Sequence, residues 1–184
     1  LFNPRMDVHE VIQHTKFDGL DIIPANIDLS AAEVQLVTEV GREQILASVL
    51  RPIINEYDAI IIDCQPSLGL LTMNALTAAD GVIIPVAAEF FALRGVALLM
   101  QSIEKVQSRI NPSLEIYGVL VTMFTRTLHS DEVLQRIYEA FGDKVIHSVI
   151  SRSIKLPEAN VAAAPITFFA HNHKTAKEYR EVAR

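Results

Sequence analysis

Asp63 is the residue whose type and position most strongly indicate chemistry. It follows the run Ala-Ile-Ile-Ile at 59–62, a continuous apolar stretch that predicts a strand buried on both faces. A carboxylate at the carboxyl end of such a strand is held still by the strand and exposed to the crevice, where phosphate-handling enzymes place Mg²⁺. The alternative is that Asp63 only caps the following turn.

The segment after Asp63 combines small, turn-forming and polar residues, in the order Gln65-Pro66-Ser67-Leu68-Gly69. A loop of this kind can move, and it can present backbone N–H groups to a phosphate. The pattern alone is only suggestive, because Pro and Gly are ordinary loop residues. A serine-hydrolase interpretation of Ser67 fails, since no Gly-x-Ser-x-Gly surrounds it.

Two further groups of reactive side chains carry weaker signals. His171 and His173 could offer two nitrogens to a metal ion, but no third ligand is evident, and a polar loop is the alternative. Cys64 lies beside Asp63, yet no histidine is near it in the sequence. We therefore expect Cys64 to fill space rather than to act as a nucleophile.

The elements that must position these residues alternate between apolar runs and helical patterns. Strands are predicted at 59–63, 81–86, 116–121 and 145–150, and a short apolar run at 20–23 ends at Pro24. Helices are predicted at 70–79, 91–110 and 174–184, and another is predicted to begin at Ser130, which can cap it. A further helical pattern runs from a Ser30–Glu33 capping box to residue 54, with a break at Gly41. The alternation predicts an α/β fold with a doubly wound, mostly parallel sheet and helices on both faces. Ligands of such sheets bind beyond the carboxyl ends of the strands.

Composition limits the class of protein. The 184 residues fit one domain, half of them are hydrophobic, and the single cysteine allows no intramolecular disulfide, so a cytoplasmic protein is expected. No run of about 18 apolar residues predicts a membrane helix. Net charge is −6, but the last 41 residues hold seven of the 16 Lys and Arg and three of the 22 Asp and Glu. This asymmetry indicates either a surface for a polyanion or a solvated terminal helix face.

Several blocks, in the right order, resemble one family. The run 57–69 (Tyr-Asp-Ala-Ile-Ile-Ile-Asp-Cys-Gln-Pro-Ser-Leu-Gly) resembles the ParA/Soj-type chromosome and plasmid partition ATPases, which belong with MinD among the deviant Walker A NTPases. Residues 22–26, 71–80, 89–95, 118–123 and 150–155 are similar to further family blocks. The resemblance covers nearly all of residues 18–184, and it implies a P-loop NTPase-like fold.

The resemblance implies roles for residues of this sequence. Asp63 would be the Walker B acid, bound to Mg²⁺ through water, with no direct metal ligand elsewhere. The switch that senses the γ-phosphate would include Gln65, Pro66, Ser67 and Gly69. Residues bordering the adenine would be Thr122, Met123, Ser151 and Arg152. A dimer and partner surface would include Glu89, Phe90, Arg94 and Gly95. Non-specific DNA binding would use Lys174, Lys177 and Arg180, with Lys155.

Two departures from the family limit what the resemblance implies. The family's glycine-rich phosphate-binding loop and its Asp-x-Asp-Pro-Gln strand are absent, and the chain begins with Leu1. We therefore expect a single incomplete domain over 1–184, lacking its N-terminal P-loop strand and helix, which by itself binds no ATP tightly. ATP and Mg²⁺ would be cofactors of the full-length protein. Ser151 replaces a proline common in the family, which weakens the assignment of the adenine contact.

The implied function is an ATP-driven switch for DNA segregation. ATP would join two subunits into a nucleoid-associated homodimer, and a ParB-type partner would stimulate hydrolysis. One alternative is a MinD-like positioning ATPase, although the last residues are too polar for a membrane-binding helix. Others are an amide-forming ligase of the cobyrinic acid a,c-diamide synthase type, which would need an appended glutaminase domain, and a non-enzymatic interaction module.

Overall fold

The chain folds as two compact units. The computed structural model describes residues 7–65, 67, 69–89 and 92–184, leaving aside the side chains of residues 92–94. Unit 1 comprises Leu1–Asp80 and Ser102–Leu114, and unit 2 comprises Gly81–Gln101 and Glu115–Arg184. The expectation of a single domain over 1–184 stays a prediction, and the two units are described in turn.

Unit 1 is built mainly from short helices. A two-residue antiparallel hairpin, β1 (Gln13–His14) and β2 (Asp21–Ile22), precedes α1 (Leu29–Leu36), α2 (Ile45–Leu50) and α3 (Leu70–Ala78). The predicted break at Gly41 is confirmed, because Gly41 has φ of +67° between α1 and α2. The predicted helix after Gly69 is confirmed as α3.

The core of unit 1 forms where α2 packs on α3. Leu46, Leu50, Ile53 and Ala75 are buried together with Val8. The buried amide of Asn74, on α3, accepts a hydrogen bond from Leu46 N at 3.0 Å and donates to the Arg42 carbonyl at 2.8 Å. Because Arg42 lies in the turn before α2 and Leu46 in its first turn, one side chain fixes the approach to α2 and its first turn against α3.

The predicted central strand at 59–63 does not form a ladder with any described residue. Ile61 is 93% exposed, and Asp63 is exposed as well. The prediction of a strand buried on both faces is therefore wrong for this structure. The physical reason is that apolar composition favours a strand only when neighbouring backbone supplies hydrogen bonds and a packing surface.

Unit 2 contains the parallel pairing that the sequence predicted. Strand β3 (Gly81–Ala87) pairs in parallel with β4 (Glu115–Thr122), and α4 (Ala92–Arg109) connects them along the chain. Ile84, Val86, Val119 and Val121 are each at most 1% exposed. Ile83, by contrast, is 48% exposed, so β3 alternates between buried and exposed positions instead of being buried on both faces.

The stretch predicted as a strand at 145–150 follows β4 without forming a regular strand. It makes two isolated parallel bridges, Val119 to Val145 and Phe124 to Ser151. Between them, Ile146 N and Ile150 N donate to carbonyls of β4 at 2.9 and 2.8 Å. The backbone hydrogen bonds are thus satisfied at intervals, which keeps the stretch beside β4 but interrupts the ladder.

Four helices complete unit 2: α5 (Leu128–Phe141), α6 (Lys155–Val161), α7 (Ile166–Phe169) and α8 (Lys174–Val182). The prediction that Ser130 caps α5 is wrong, because Thr127 is the N-cap and its hydroxyl accepts from Ser130 N at 3.3 Å. The sequence did not predict α6 and α7. Ala159, Ile166 and Ala176 form a small buried cluster among these last helices, which places the N-terminus of α8 beside residues 151–154.

Candidate functional site

Asp63 is exposed at the end of the apolar run in unit 1. The thiol of the next residue, Cys64, lies 3.7 Å from the Ile62 carbonyl, to which it can donate. Partial burial, followed by the negative charge of Asp63, raises the pKa of the Cys64 thiol, although the residue as a whole is exposed. A raised pKa keeps the thiol protonated at neutral pH, which supports the expectation that Cys64 is not a nucleophile.

The predicted switch residues 65–69, here called the switch segment, are anchored at their C-terminal end to α3. The Thr72 hydroxyl donates to the Ser67 carbonyl at 2.5 Å, and Met73 N donates to the Gly69 carbonyl at 3.1 Å. Gln65 is exposed, while Pro66 and Leu68 lie outside the described residues. The first turn of α3 therefore holds the end of the segment that the sequence singled out.

Glu33 binds the start of α3 and not the start of α1, where the sequence predicted its contact. The Ser30–Glu33 capping box does not form, because Asp28 is the N-cap of α1 and makes no side-chain cap. The Glu33 carboxylate instead accepts a hydrogen bond from Leu70 N at 2.7 Å. A Cβ built on Gly69 would collide with this carboxylate. Glu33 thus satisfies a free N–H of α3, and the contact requires glycine at 69.

The donors around Asp63 fit a magnesium ion held through water. Mg²⁺ keeps several of its waters and is commonly bound by only one or two carboxylates, so one exposed aspartate is sufficient chemistry. Among the described residues no group of three His, Cys, Asp or Glu side chains could hold a metal ion directly. The role of Asp63 as the residue that holds the cation through water stays a prediction.

Unit 2 contains an open cleft at the carboxyl end of β4, with a volume of about 540 Å³. Residues 124–126, 151–154 and 173–175 line it and are here called the basic cleft. The predicted adenine residues Ser151 and Arg152 belong to it. Thr122 and Met123 do not line it but lead directly into its first segment, and Met123 has a left-handed φ of 54°.

The charge of the basic cleft favours an anion. Its lining includes Arg126, Arg152 and Lys174, together with hydroxyls from both walls, and no carboxylate. Arg126 was missed by the sequence analysis, since a single arginine in a loop carries no periodic signal. Arg126 and Arg152, together with the part of the Lys174 charge that is not offset by a neighbouring carboxylate, create a positive potential that attracts phosphate groups.

Glu178 lies behind this cleft and binds two of its residues. Its carboxylate accepts from Ser151 N at 2.9 Å and from Ser151 Oγ at 2.7 Å, and it forms an ion pair with Lys174 at 3.1 Å. Lys174 Nζ also donates to Ser151 Oγ at 2.9 Å. These three residues are here called the Glu178 cluster. A proline at 151 could not supply the N–H.

The pKa of Glu178 records this arrangement. The residue is 7% exposed, and its burial alone would raise the pKa. The hydrogen bonds from Ser151 and the contact with Lys174 outweigh that cost, so the pKa of Glu178 lies below its ordinary value. The carboxylate is therefore charged at neutral pH, and it offsets the charge of Lys174.

The predicted DNA-binding cations have different surroundings. Lys155 pairs with Glu158 at 2.6 Å, and Arg180 donates to the His171 carbonyl at 2.6 Å. Lys177 is exposed, and no ion pair involves it among the described residues. Lys177 is thus the cation of α8 that is best placed to meet a phosphate from solution.

The histidines weighed as metal ligands have structural contacts at the start of α8. His173 is the N-cap of α8, and its Nδ1 accepts from Thr175 N at 3.2 Å. The ring of His171 lies 3.4 Å from the guanidinium of Arg180. Both rings therefore support the local backbone and side-chain arrangement of α8.

The predicted dimer and partner surface is described in part. Glu89 N donates to the Ala87 carbonyl at 2.7 Å, just after β3. Gly95 is exposed on α4, and a Cβ there would meet no atom within 4 Å. Phe90 and the Arg94 side chain lie outside the described residues. Among the helices that are described, none has the length and apolarity to span a membrane.

Comparison with known proteins adds a family to this geometry. A family model described as an AAA domain matches residues 1–116. An uncharacterised protein of Mycobacterium tuberculosis is 51% identical over all of this chain, which spans 58% of that protein. The chromosome-partitioning ATPase Soj of Treponema pallidum is 43% identical over 96% of this chain and 70% of its own length. The chain thus spans about three-fifths of the length of the first of these relatives.

A solved structure supports the fold assignment. The cobyrinic acid a,c-diamide synthase of Mycobacterium smegmatis, with bound ADP and magnesium, matches with a TM-score of 0.80 and 36% identity. The match covers 96% of this chain and 64% of that one. The prediction of an α/β, P-loop NTPase-like fold is therefore confirmed.

Proposed function

The chain belongs to the ParA/MinD-type ATPase family, and from this membership we propose that the protein is an ATP-dependent dimeric switch in chromosome or plasmid partition. It binds DNA without sequence preference, and a ParB-type partner stimulates its ATP hydrolysis. The observation that carries the proposal is the exposed Asp63, followed by a switch segment whose far end is fixed to α3.

The residues of unit 1 hold and sense the nucleotide. When bound, Mg²⁺ neutralises charge on the phosphates of ATP and so supports phosphoryl transfer to water. Asp63 would hold the cation through water, and Gln65 and Ser67 would take part in sensing the γ-phosphate. Because Thr72 holds Ser67 and Glu33 holds Leu70, Gln65, which precedes both contacts, is the residue of the segment that responds most freely to the phosphate.

The residues of unit 2 supply the contacts to DNA. Lys177, with Lys174, Arg180 and Lys155, contacts phosphates, and contacts of this kind make binding indifferent to sequence and sensitive to salt. Each phosphate contact changes the slope of log affinity against log salt by about 0.9. The surface forms on the dimer that ATP assembles, so neither one subunit nor the nucleotide-free protein binds DNA tightly.

The test uses the full-length protein with ATP and a DNA duplex. Replacing Lys174, Lys177 and Arg180 together by glutamate abolishes DNA retention. Lys177→Glu alone weakens affinity about five- to tenfold and lowers the salt slope by about 1. The matched control is Lys144→Glu, because Lys144 is exposed in the same unit but lies outside the predicted surface. Equal effects of the two single substitutions would reject the assignment.

Residues 1–184 by themselves are proposed to bind no ATP measurably. No glycine-rich stretch occurs in them, and the backbone N–H cradle of such a stretch normally contributes much of the phosphate affinity. Calorimetric titration of residues 1–184 with MgATP is expected to give no heat of binding, whereas the full-length protein binds. A micromolar affinity for residues 1–184 would contradict this proposal.

A second candidate function is ATP-dependent amide synthesis, favoured by the name of the Mycobacterium smegmatis structure. The two functions differ in what stimulates ATP turnover. A partition ATPase turns over faster with DNA and its partner protein, whereas an amide synthase requires an acid substrate and a nitrogen donor. A MinD-like positioning ATPase would respond to lipid vesicles, and a non-enzymatic module would hydrolyse no ATP. One ATPase assay with these additions separates the four.

A further inference from the structure

We propose that Glu178 is a built-in competitor for phosphate groups at the basic cleft. In this structure its carboxylate holds Lys174 and Ser151, the groups that would otherwise face an anion in the cleft. A phosphate that enters the cleft must compete with Glu178 for Lys174. The phosphate could belong to DNA or to a nucleotide. The inference rests on the proposed function only where it names DNA as the ligand.

The geometry shows why Glu178 holds these groups firmly. One carboxylate receives the N–H and the hydroxyl of Ser151 and the ammonium of Lys174, all between 2.7 and 3.1 Å. Glu178 is 7% exposed, so water competes poorly for its oxygens. Hydrogen bonds to a charged, buried acceptor are stronger than those made in water. The cluster therefore keeps Lys174 directed towards α8 while the cleft is free of anions.

The charges give the sign of the effect. Lys174 lines the cleft and its side chain is 58% exposed, so its ammonium can reach a phosphate without leaving its place on α8. Its charge is offset by Glu178, however, and while Glu178 holds it Lys174 neutralises no phosphate and displaces no counterion from the DNA. Glu178 thus sets how much Lys174 contributes, which makes it a positioning residue for Lys174 rather than a ligand of the phosphate.

The sequence explains why this chain can have such a cluster. Ser151 supplies both a backbone N–H and a hydroxyl to the carboxylate. Ser151 and Glu178 are 27 positions apart in the sequence. The cluster therefore requires both residues, and the fold brings them into contact.

The test compares Glu178→Gln with Glu181→Gln in the full-length protein with ATP. Both remove one negative charge from α8, but Glu181 is exposed and its carboxylate lies 3.4 Å from Ser148 Oγ. Glu178→Gln frees Lys174 and raises affinity for a DNA duplex about fivefold at 0.15 M salt, with a salt slope steeper by about 0.9. Glu181→Gln leaves the slope unchanged. Adding Lys174→Gln to Glu178→Gln removes the gain.

A second measurement covers the case in which Glu178→Gln does not fold. Because Lys174 is offset in the wild type, Lys174→Gln alone changes the salt slope little, whereas Lys177→Gln lowers it by about 0.9. Equal slopes for the two lysine variants would overturn the inference. So would a folded Glu178→Gln variant that gains no affinity for either duplex or pyrophosphate.

Pyrophosphate titration identifies the source of the phosphate. A gain in Glu178→Gln with duplex assigns the cleft to DNA, while a gain with pyrophosphate alone assigns it to a nucleotide. If the wild-type protein does not bind DNA in the presence of ATP, the proposed function is wrong. A higher affinity of Glu178→Gln for pyrophosphate would in that case still support the role of Glu178, so the two failures are distinguishable.

Discussion

Two apolar runs have different surroundings in the two units. Residues 118–121 of β4 are buried in unit 2, pair with β3 and receive hydrogen bonds from the 145–151 stretch. Residues 59–62 of unit 1 have no ladder partner among the described residues, and Ile61 is 93% exposed. The difference lies in the neighbours, since both runs have the composition of a buried strand. Composition therefore indicates where a strand can form, and the neighbouring backbone decides whether it does.

The largest expected effect comes from truncating one isoleucine in each unit. Ile84→Ala removes a side chain that is 1% exposed and is expected to lower the free energy of unfolding by about 2–5 kcal/mol. Ile61→Ala, in residues 1–184, removes an exposed side chain and changes the free energy of unfolding by no more than about 0.5 kcal/mol. Urea denaturation of both variants measures the difference.

The same pair of variants sharpens the comparison when it is repeated in the full-length protein. If Ile61→Ala lowers the free energy of unfolding of the full-length protein as much as Ile84→Ala does, a segment outside residues 1–184 packs on the run at 59–62. If Ile61→Ala has the same large effect in residues 1–184 alone, the exposed position of Ile61 is wrong.

Much of the fold was predictable because it follows from periodicity along the chain. The positions of β3, β4, α3, α4 and α8 agree with the apolar patterns. The two-residue strands β1 and β2 and the short helices α6 and α7 contain too few residues for a pattern to show. Both predicted caps failed for one reason: Ser30 and Ser130 are good capping residues, but which residue caps depends on where the backbone turns.

The residues of the two candidate regions could be named from the sequence, although their roles stay predictions, whereas their contacts could not be foreseen. Asp63, Ser151, Arg152 and Lys174 were all singled out, yet the contact between Lys174 and Ser151 was not foreseen. Glu178 carried no signal, because a glutamate on a terminal helix is ordinary. Its partner Ser151 is distant in sequence, and tertiary packing alone brings the two together.

An intermediate effect is expected from the two carboxylates that hold functional segments. Glu178→Ala removes a buried carboxylate that accepts two hydrogen bonds from Ser151, and it is expected to lower the free energy of unfolding by about 2–3 kcal/mol. Glu33→Ala removes a partly buried carboxylate that accepts one hydrogen bond, and it is expected to lower the free energy of unfolding by about 1 kcal/mol. Urea denaturation gives both values, and amide exchange at Leu70 reports the local loss in Glu33→Ala. If both variants lose the same free energy of unfolding, the greater burial of Glu178 does not make its contacts stronger than that of Glu33.

The pH dependence adds a second criterion for Glu178. Its pKa is lowered in the folded protein, so its contribution to stability is fully present above the ordinary glutamate pKa. That contribution is lost as the pH falls through the lowered value. The stability difference between wild type and Glu178→Ala should therefore shrink in acid, whereas a difference that stays constant down to about pH 3 would contradict the ion pair.

The smallest expected effect comes from one glycine in each unit. Gly41 has φ of +67°, so Gly41→Ala in unit 1 is expected to cost about 1 kcal/mol although no atom would touch the new Cβ. Gly95 lies inside α4 with open space around it, and Gly95→Ala is expected to stabilise by about 0.5–1 kcal/mol because alanine favours a helix. Thermal unfolding measures both. Gly95 belongs to the predicted partner surface, so dimerisation with ATP is measured as well. A Gly95→Ala variant that is more stable but no longer dimerises would indicate that the partner's backbone lies close to Gly95 in the dimer. A Gly95→Ala variant that is less stable would show that the space around Gly95 is already filled.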